Sequence, residues 1–301
     1  MENKIIIDRN IEEINRKITQ KLRRKRIINS SVRYTILTIV GFIMLYPLLW
    51  MIGSSFKENS EIFRTVSFIP ESLNFNNYID GWKTSTEYTF TTYFLNSMKI
   101  VIPKVILTLI STVLTAYAFA RFNIPKKKVL FAILIGTLFL PDIVVRIPQY
   151  LIYKEFNWLD SYLPLVVPSM FAVDTFFVFM LIQFFRGIPK ELEEAAEIDG
   201  CNSIQSLWHV IIPVLKPAII SVGLFQFMWT MNDFMGPLIY LSSVEKYPVS
   251  IALKISMDAS AAIEWNKILA MSVITLLPSL IIFFLAQNYF VDGVSASGLK
   301  E

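Results

Sequence analysis

One polar segment of the chain, residues 190–217, has side chains suited to docking on another protein. Acidic residues crowd its first half and surround a short apolar stripe at helical spacing. The acidic residues are Glu191, Glu193, Glu194, Glu197 and Asp199, and the stripe is Leu192, Ala195, Ala196 and Ile198. A helix with these two faces, set between long apolar segments, predicts a partner that docks on it outside the bilayer. The chemistry predicted for this segment is therefore recognition of another chain.

A second set of polar side chains lies within long apolar segments. The set consists of Asp142, Arg146, Gln149, Asp174, Gln183, Gln226, Asn232 and Asp233. Ionisable groups at membrane depth cost a few kcal/mol on insertion scales, so they face the interior of a helix bundle or a wet cavity. These residues therefore predict a polar path through a bundle.

Asp142 and Arg146 are four residues apart and share one helical face, with Pro141 and Pro148 on either side. Two interpretations remain open. The pair neutralises itself and lets the helix bend, or Arg146 offers its planar donors to a carboxylate or to two hydroxyls of a passing substrate. The spacing alone does not decide between them.

The end of another apolar segment carries Gln226, Trp229, Asn232 and Asp233, followed by Pro237. Proline removes a backbone donor, which bends a membrane helix toward a cavity. An aromatic face beside amide and carboxylate groups suits a sugar. Hydrogen bonding between helices is an equally open alternative.

Composition places these residues in a membrane protein. Of the 301 residues, 54% are hydrophobic and 17% are charged, and the mean hydropathy is +0.53. A bilayer core about 30 Å thick needs about 20 apolar residues per helix. Six windows predict an all-α protein with six transmembrane helices: residues 34–52, 101–120, 129–150, 163–185, 218–241 and 268–290.

Lysine and arginine predict the orientation, because they accumulate on the cytoplasmic side of a membrane. With the N-terminus inside, eighteen of the 28 lie in cytoplasmic segments and nine lie on the outer side. Both termini are then cytoplasmic. The predicted organisation is a basic tail (1–33), a six-helix domain (34–290) with a cytoplasmic loop (186–217) and outer loops (53–90, 151–162, 242–267), and a C-terminal tail (291–301).

The residues predict neither catalysis nor a metal site. The single Cys201 and the single His209 match no zinc spacing, and residues 293–300 lack the Gly-Lys-Ser/Thr of a phosphate-binding loop. The basic cluster at 21–26 is typical of a topology anchor beside a first span, so no nucleic-acid partner is expected. We expect no cofactor in this chain.

One block resembles the EAA loop in the membrane subunits of ATP-driven importers: Glu194-Ala195-Ala196, Gly200 and Val210-Ile211-Ile212-Pro213. The family pattern is Glu-Ala-Ala, three residues, Gly, nine residues and Ile-x-Leu-Pro. The spacing is kept here. Val210 and Ile212 are conservative departures that leave the docking role in place.

Further blocks resemble the second permease subunit of carbohydrate importers of the maltose type, and the likeness extends over most of the chain. They are RGIPKELEEAAEIDG (186–200), WTMNDFMGPLIY (229–240), AYAFAR (116–121) and SGLK (297–300). An apolar residue is more usual in that family at position 236, where this chain has glycine.

The resemblance implies the type I ABC importer permease fold and a multi-pass transport subunit of the cell membrane, not an enzyme. The loop would form a helix from Glu191 to Asp199, a turn at Gly200 and a second helix from Ser203. ATPase coupling would fall to Glu193, Glu194, Ala195, Ala196, Asp199, Gly200 and Pro213. The implied partners are a second permease subunit, two ATPase subunits that bind ATP and magnesium, an extracellular or periplasmic sugar-binding protein, and an oligosaccharide.

Within that family, residues 256–265 and those around Asn232 are similar to subunits that handle plant-polysaccharide fragments, including pectin-type oligosaccharides. Arg146 would then recognise a uronate. The expected substrate path consists of Asp142, Arg146, Gln149, Gln226, Trp229, Asn232 and Asp233. A rival class is an ion-coupled secondary transporter that uses the intramembrane aspartates and Arg146 as a proton relay, but such a carrier has no use for an ATPase-docking loop.

Overall fold

The structure of the protein is a computed structural model. It describes the backbone of residues 2–83, 88–258 and 263–298, and the side chains of residues 21–83, 88–257 and 263–289. Parts of two predicted outer loops (84–87 and 259–262) and the end of the predicted C-terminal tail (299–301) lie outside the described residues. The described chain is helical, contains no strand, and divides into two compact units, Met1–Leu73 and Asn74–Glu301.

The first unit is dominated by helix α1, Glu2–Ser54, which contains both the predicted basic tail and the predicted first span. Its C-terminal part, Lys21–Ser54, contains an 18-residue window with a mean hydropathy of 2.1, and its side chains are largely exposed. A helix of this kind satisfies all its backbone groups internally and presents apolar side chains outward, as lipid requires. A short helix, α2, Asn59–Ile62, follows.

The chain after α1 folds back tightly on the end of that helix. Lys57 is fully buried, and its ammonium donates hydrogen bonds to the Ser67 carbonyl oxygen at 2.6 Å and to Thr65 Oγ1 at 3.1 Å. A Cβ atom at Gly53 would lie 1.7 Å from the Phe68 carbonyl oxygen. Only glycine therefore allows this close approach of two backbone segments.

The second unit contains all the other helices. In chain order they are α3 (Asn76–Trp82), α4 (Phe90–Arg121), α5 (Lys127–Thr137), α6 (Asp142–Glu155), α7 (Leu163–Val166), α8 (Thr175–Gly187), α9 (Glu191–Ile198), α10 (Ser203–Ser206), α11 (Ile212–Met231), α12 (Met235–Tyr240), α13 (Val249–Asp258) and α14 (Trp265–Gly298). A 3-10 turn, Val167–Phe171, follows α7, and a π-helical turn, Leu207–Ile211, joins α10 to α11.

Helix α4 lies at the centre of this unit and packs against α8 and α11, while α11 also packs against α14. Buried Phe177, Leu181 and Phe185 of α8 form the middle of the largest apolar cluster, together with Ile211 and Val222. The 3-10 turn is fastened to α4 because the Ser111 hydroxyl of α4 donates to the Ser169 carbonyl oxygen at 2.6 Å.

The described helices give five to six candidate spans. Five helices are long and apolar enough to cross a membrane, and the count reaches the predicted six if the bent pair α5 and α6 forms one span. The prediction of an all-helical protein with several spans is confirmed. Helix α13 lies within the predicted outer loop 242–267.

The third span differs from the continuous helix predicted over residues 129–150. It consists of α5 and α6, and the helix axis bends by 102° between them. Pro141 precedes α6 at the break, and proline has no backbone donor and disfavours helical geometry in the residue before it. An apolar window in the sequence predicts the length of a span, but it does not predict a change of direction within that span.

Two other spans are also interrupted. The fourth breaks between the 3-10 turn and α8, where Ala172 adopts φ +52° and Asp174 occupies the position before the first residue of α8. The fifth breaks between α11 and α12, so the expected irregularity before Pro237 is confirmed, at residues 232–234.

Asp160 fastens together two connections, the one before α7 and the one after α12. Its carboxylate accepts the backbone N–H groups of Ser242 and Ser243 at 3.0 and 2.9 Å and pairs with the Lys246 ammonium at 2.8 Å. The bond from Lys246, followed by that from the Ser243 hydroxyl, holds the pKa of the Asp160 carboxyl well below its usual range.

Gly53→Ala should destabilise the first unit, because overpacking against a backbone oxygen costs about 1–3 kcal/mol. We expect less protein in the membrane and a lower thermal midpoint in detergent. Gly41→Ala is the matched control in the same helix, since nothing lies within 4 Å of a Cβ atom there. Equal stability of the two variants would contradict the close approach.

Asp160→Asn should lower the thermal midpoint at neutral pH, because asparagine keeps the left-handed backbone of this position, φ +54°, but loses the ion pair. A carboxyl whose folded pKa is lowered stabilises the fold above its unfolded pKa of about 4, and this contribution is lost as the pH falls toward the folded pKa. The gap between wild type and variant should therefore shrink below about pH 4. Exposed Glu155→Gln is the control, and a gap independent of pH would refute the assignment.

Candidate functional site

A polar cavity of about 200 Å³ lies in the second unit where the broken spans meet. Its polar lining residues are Lys104, Asp142, Arg146, Gln149, Tyr153, Ser169, Asp174, Asp233 and Tyr240. Of the residues predicted from the sequence for the substrate path, Asp142, Arg146, Gln149 and Asp233 are brought together here.

Each of the three cavity aspartates lies at or near the first residue of a helix that follows an interruption of its span. Asp142 is the first residue of α6, Asp174 precedes α8, and Asp233 accepts the Gly236 backbone N–H at 3.0 Å near the start of α12. Free backbone N–H groups and the positive end of the helix dipole favour a carboxylate at such positions. The interruptions of the spans therefore position the three carboxylates, and the cavity lies at the same place.

Opposite charges surround the cavity without neutralising each other directly. Although Lys104, Asp142, Arg146, Asp174 and Asp233 are all among the described side chains, no pair of them lies within the 4.0 Å of an ion pair. The one hydrogen bond from another side chain to these groups comes from the Thr108 hydroxyl, 3.3 Å from Asp174 Oδ2. Carboxylates that are not in ion pairs accept hydrogen bonds from the hydroxyl groups of a solute. Lysine and arginine side chains that are not in ion pairs donate to the oxygen atoms of the same groups, so the lining suits a polyhydroxylated solute.

Two tyrosines supply aromatic surface to the same cavity. Tyr153 and Tyr240 meet edge to face with ring centroids 5.3 Å apart, and the Tyr240 hydroxyl lies 3.5 Å from Gln149 Oε1. Aromatic rings beside polar groups are a common lining for small-molecule sites. The aromatic wall expected at Trp229 is therefore provided here by other residues.

Three predicted path residues lie outside this lining. Gln226 is buried in α11 and its amide nitrogen lies 3.3 Å from Thr230 Oγ1. Trp229 stacks on Phe177 with centroids 4.9 Å apart, and Asn232 donates to the Met228 carbonyl oxygen at 2.7 Å. Both hydrogen bonds are local to α11 and its end, so they are not the bonds between helices that the sequence left as an alternative, whereas the Trp229 ring packs on α8.

Lys104, Tyr153, Ser169 and Tyr240 line the cavity although the sequence analysis did not identify them as site residues. Lys104 is the charged one, and it lies inside α4, one residue after Pro103. The available signal was the same as for Arg146, because an ionisable side chain inside an apolar window implies a polar environment.

The predicted docking loop has the expected helix, turn and helix. Helix α9 ends at Ile198, Gly200 adopts φ +90°, and α10 begins at Ser203. Asn202 and Gln205 form a capping box, in which each side chain bonds the backbone N–H of the other. This local geometry, implied by the resemblance, is confirmed.

The predicted coupling residues fall into two groups, one that faces the rest of this chain and one that is exposed. Glu193 pairs with Arg121 and Ala196 is buried, so both face the chain itself. The exposed members are Glu194, Ala195, Asp199, Gly200 and Pro213. Apolar Ile198 and Ile204 beside them are 87% and 77% exposed.

Within the described part of the chain, no group of three or more histidine, cysteine, aspartate or glutamate residues could hold a metal ion. His209 Nδ1 lies 3.0 Å from the Gln205 carbonyl oxygen, and Cys201 is half-buried.

A protein-family model described as the binding-protein-dependent transport system inner membrane component matches residues 108–295. The chain therefore belongs to this family, whose members are inner-membrane transport subunits. The predicted recognition of an importer permease and the predicted multi-pass membrane location are confirmed.

Two relatives cover most of this chain. The diacetylchitobiose uptake system permease protein of Streptomyces coelicolor is 26% identical, over 88% of this chain and 87% of its own length. The arabinooligosaccharides transport system permease protein of Halalkalibacterium halodurans is 28% identical, over 87% of this chain and 93% of its own.

A solved structure shares the fold. A chain in the crystal structure of a bacterial ABC transporter involved in the import of the acidic polysaccharide alginate superposes with a TM-score of 0.76 and 24% identity. The match covers 87% of this chain and 96% of that one. The predicted type I ABC importer permease fold is confirmed.

Proposed function

We propose that this chain is the permease subunit of an ATP-driven importer of oligosaccharides. The family match over residues 108–295 carries the proposal, because this range contains the docking loop and all of the cavity except Lys104. Two relatives are named for short sugars, diacetylchitobiose and arabinooligosaccharides. The tyrosines and free polar groups of the cavity support a sugar as the solute.

The loop of α9 and α10 is proposed as the docking site of an ATPase subunit, with both termini on the same cytoplasmic side. Exposed Glu194 and Asp199 offer charge to basic groups of a partner, and exposed Ile198 and Ile204 offer apolar contact. The loop joins α8 to α11, so its displacement by an ATPase would move two spans that border the cavity region.

A uronate-containing oligosaccharide is the proposed substrate. Arg146 has no acidic partner within 4.0 Å among the described residues, so its guanidinium is available for the planar, bidentate bonding of a carboxylate. The aspartates, Gln149 and Lys104 would bind hydroxyl groups of the same sugar.

The complete transporter is proposed to contain a second permease subunit, two ATPase subunits that bind ATP and magnesium, and an extracellular or periplasmic sugar-binding protein. The family description itself names dependence on a binding protein. An ion-coupled carrier is disfavoured, because it would leave the exposed loop without a partner. Reconstitution of the assembled complex in proteoliposomes tests the proposal: uptake should require ATP, and uptake driven by an ion gradient without ATP would refute it.

Glu194→Lys and Gly200→Asp should each abolish uptake while the chain still inserts into the membrane. The first reverses a charge that faces the partner. The second strains a backbone at φ +90° by about 1–3 kcal/mol, although no atom lies within 4 Å of the new Cβ. Uptake in membranes and the amount of co-purifying ATPase are the measurements, with exposed Glu155→Lys as control. Normal uptake by both variants would exclude docking at this loop.

Arg146→Ala should weaken uptake of a uronate oligosaccharide about tenfold or more relative to a neutral one of equal length. Hydrogen bonds to charged groups contribute about 1.5–3 kcal/mol, which is lost only where the solute carries the carboxylate. Uptake of the two sugars at several concentrations by wild type and variant gives the ratio. An equal loss for both sugars would argue against carboxylate recognition.

A further inference from the structure

A buried ion pair ties the docking loop to a helix that the loop does not join through the chain. Arg121, the last residue of α4, pairs through its Nε atom with Glu193 of α9, and its Nη2 atom donates to the Ile188 carbonyl oxygen at 3.0 Å. The two charged side chains are only 9% and 16% exposed. The guanidinium thus holds both the start of the loop and its first helix.

A tyrosine one turn earlier on α4 extends this contact to the second half of the loop. The Tyr117 hydroxyl lies 3.3 Å from Glu193 Oε2 and 3.1 Å from the Ser203 carbonyl oxygen, so it reaches both α9 and α10. Its ring is buried against Phe185 of α8, with centroids 5.7 Å apart.

We propose that Arg121 is a positioning residue that transmits movement of the docking loop to α4, in addition to the two spans that the loop joins covalently. The inference rests on the proposed function of the loop. Within it, Glu193 acts inside this chain, while its neighbour Glu194 faces the partner.

Helix α4 can carry such a movement to the cavity. Arg121 and Lys104 stand 17 positions apart on one helix, about 26 Å at the usual rise, and no proline lies between them. Between these ends, Thr108 contacts Asp174 and Ser111 bonds the 3-10 turn. A shift of the loop that pulls on Arg121 therefore moves the Lys104 side chain in the cavity. The same shift moves the two residues of α4 that contact the fourth span.

A purely structural role for the pair makes a different prediction from a coupling role. If Arg121 only held the loop in its fold, its loss would reduce the ATPase bound to the complex, and hydrolysis and uptake would fall in proportion. If Arg121 transmits movement, the loop still binds the ATPase, but each cycle of hydrolysis moves less solute.

The test uses the whole reconstituted complex and measures uptake and ATP hydrolysis in the same proteoliposomes. Arg121→Gln and Glu193→Gln should each lower the sugar transported per ATP by roughly tenfold, within the range that coupling residues produce, with bound ATPase unchanged. The double variant should lose no more than either single one, because the two side chains act as a unit. Arg121→Lys should keep most of the ratio, since it retains the charge opposite Glu193.

Lys127→Gln is the matched control, because it removes a cation at the same end of the bundle that donates to the Phe122 carbonyl oxygen at 3.2 Å and not to the loop. If Arg121→Gln fails to accumulate, Tyr117→Phe replaces it in the test, because it removes only one hydroxyl group. This variant should also lower the amount of sugar transported per ATP. A wild-type ratio in Glu193→Gln and Tyr117→Phe, or a proportional loss of uptake, hydrolysis and bound ATPase, would overturn the inference. Failure of the proposed function would instead appear as no ATP-dependent uptake by the wild-type complex.

Discussion

The hydrocarbon interior of a membrane offers no partner for an unpaired backbone group, and the second unit is arranged around that constraint. Its spans are interrupted at residues 138–141, 172–174 and 232–234, where backbone N–H and C=O groups leave the helical pattern. An aspartate stands at each interruption, and all three aspartates line one cavity. The N–H groups of residues 138–140, 232 and 233 bond carbonyl oxygens three or four residues back, and the Gly236 N–H bonds the Asp233 carboxylate. The breaks place three carboxylates at one cavity, so the irregular helices and the proposed substrate path are one feature.

Helix α4 relates this cavity to the opposite end of the unit. It contributes Lys104 to the cavity, holds the fourth span through Thr108 and Ser111, and ends at Arg121 beneath the docking loop. A continuous helix is stiff along its axis because every turn is bonded to the next. Helix α4, packed against α8 and α11, therefore connects the cavity with the loop through one continuous element.

The docking loop shows how adjacent side chains of the same type take different tasks. Glu193 and Glu194 are neighbours, but a helix turns about 100° per residue, so they point to different sides of α9. Arg121 and Glu193 form an ion pair whose side chains are only 9% and 16% exposed, so losing either partner leaves a largely desolvated charge without its counterpart. Glu194 remains exposed beside the apolar Ile198. The inner contact fixes the loop, and the outer surface stays available to a partner.

The amino-acid order was sufficient to predict the helical class, the apolar segments, the helix and turn of the loop, and the family, because these depend on window length, turn residues and motif spacing. It also identified Asp142, Arg146, Gln149 and Asp233, since polar and charged groups in apolar segments must avoid lipid. The 102° bend before Asp142, the presence of Lys104, Tyr153 and Tyr240 in the cavity lining, and the absence of Gln226, Trp229 and Asn232 from it became visible in the folded chain. The same holds for the inward turn of Glu193. The direction in which a side chain points depends on how each helix is rotated and broken against its neighbours, and that packing is set by residues far apart in the chain.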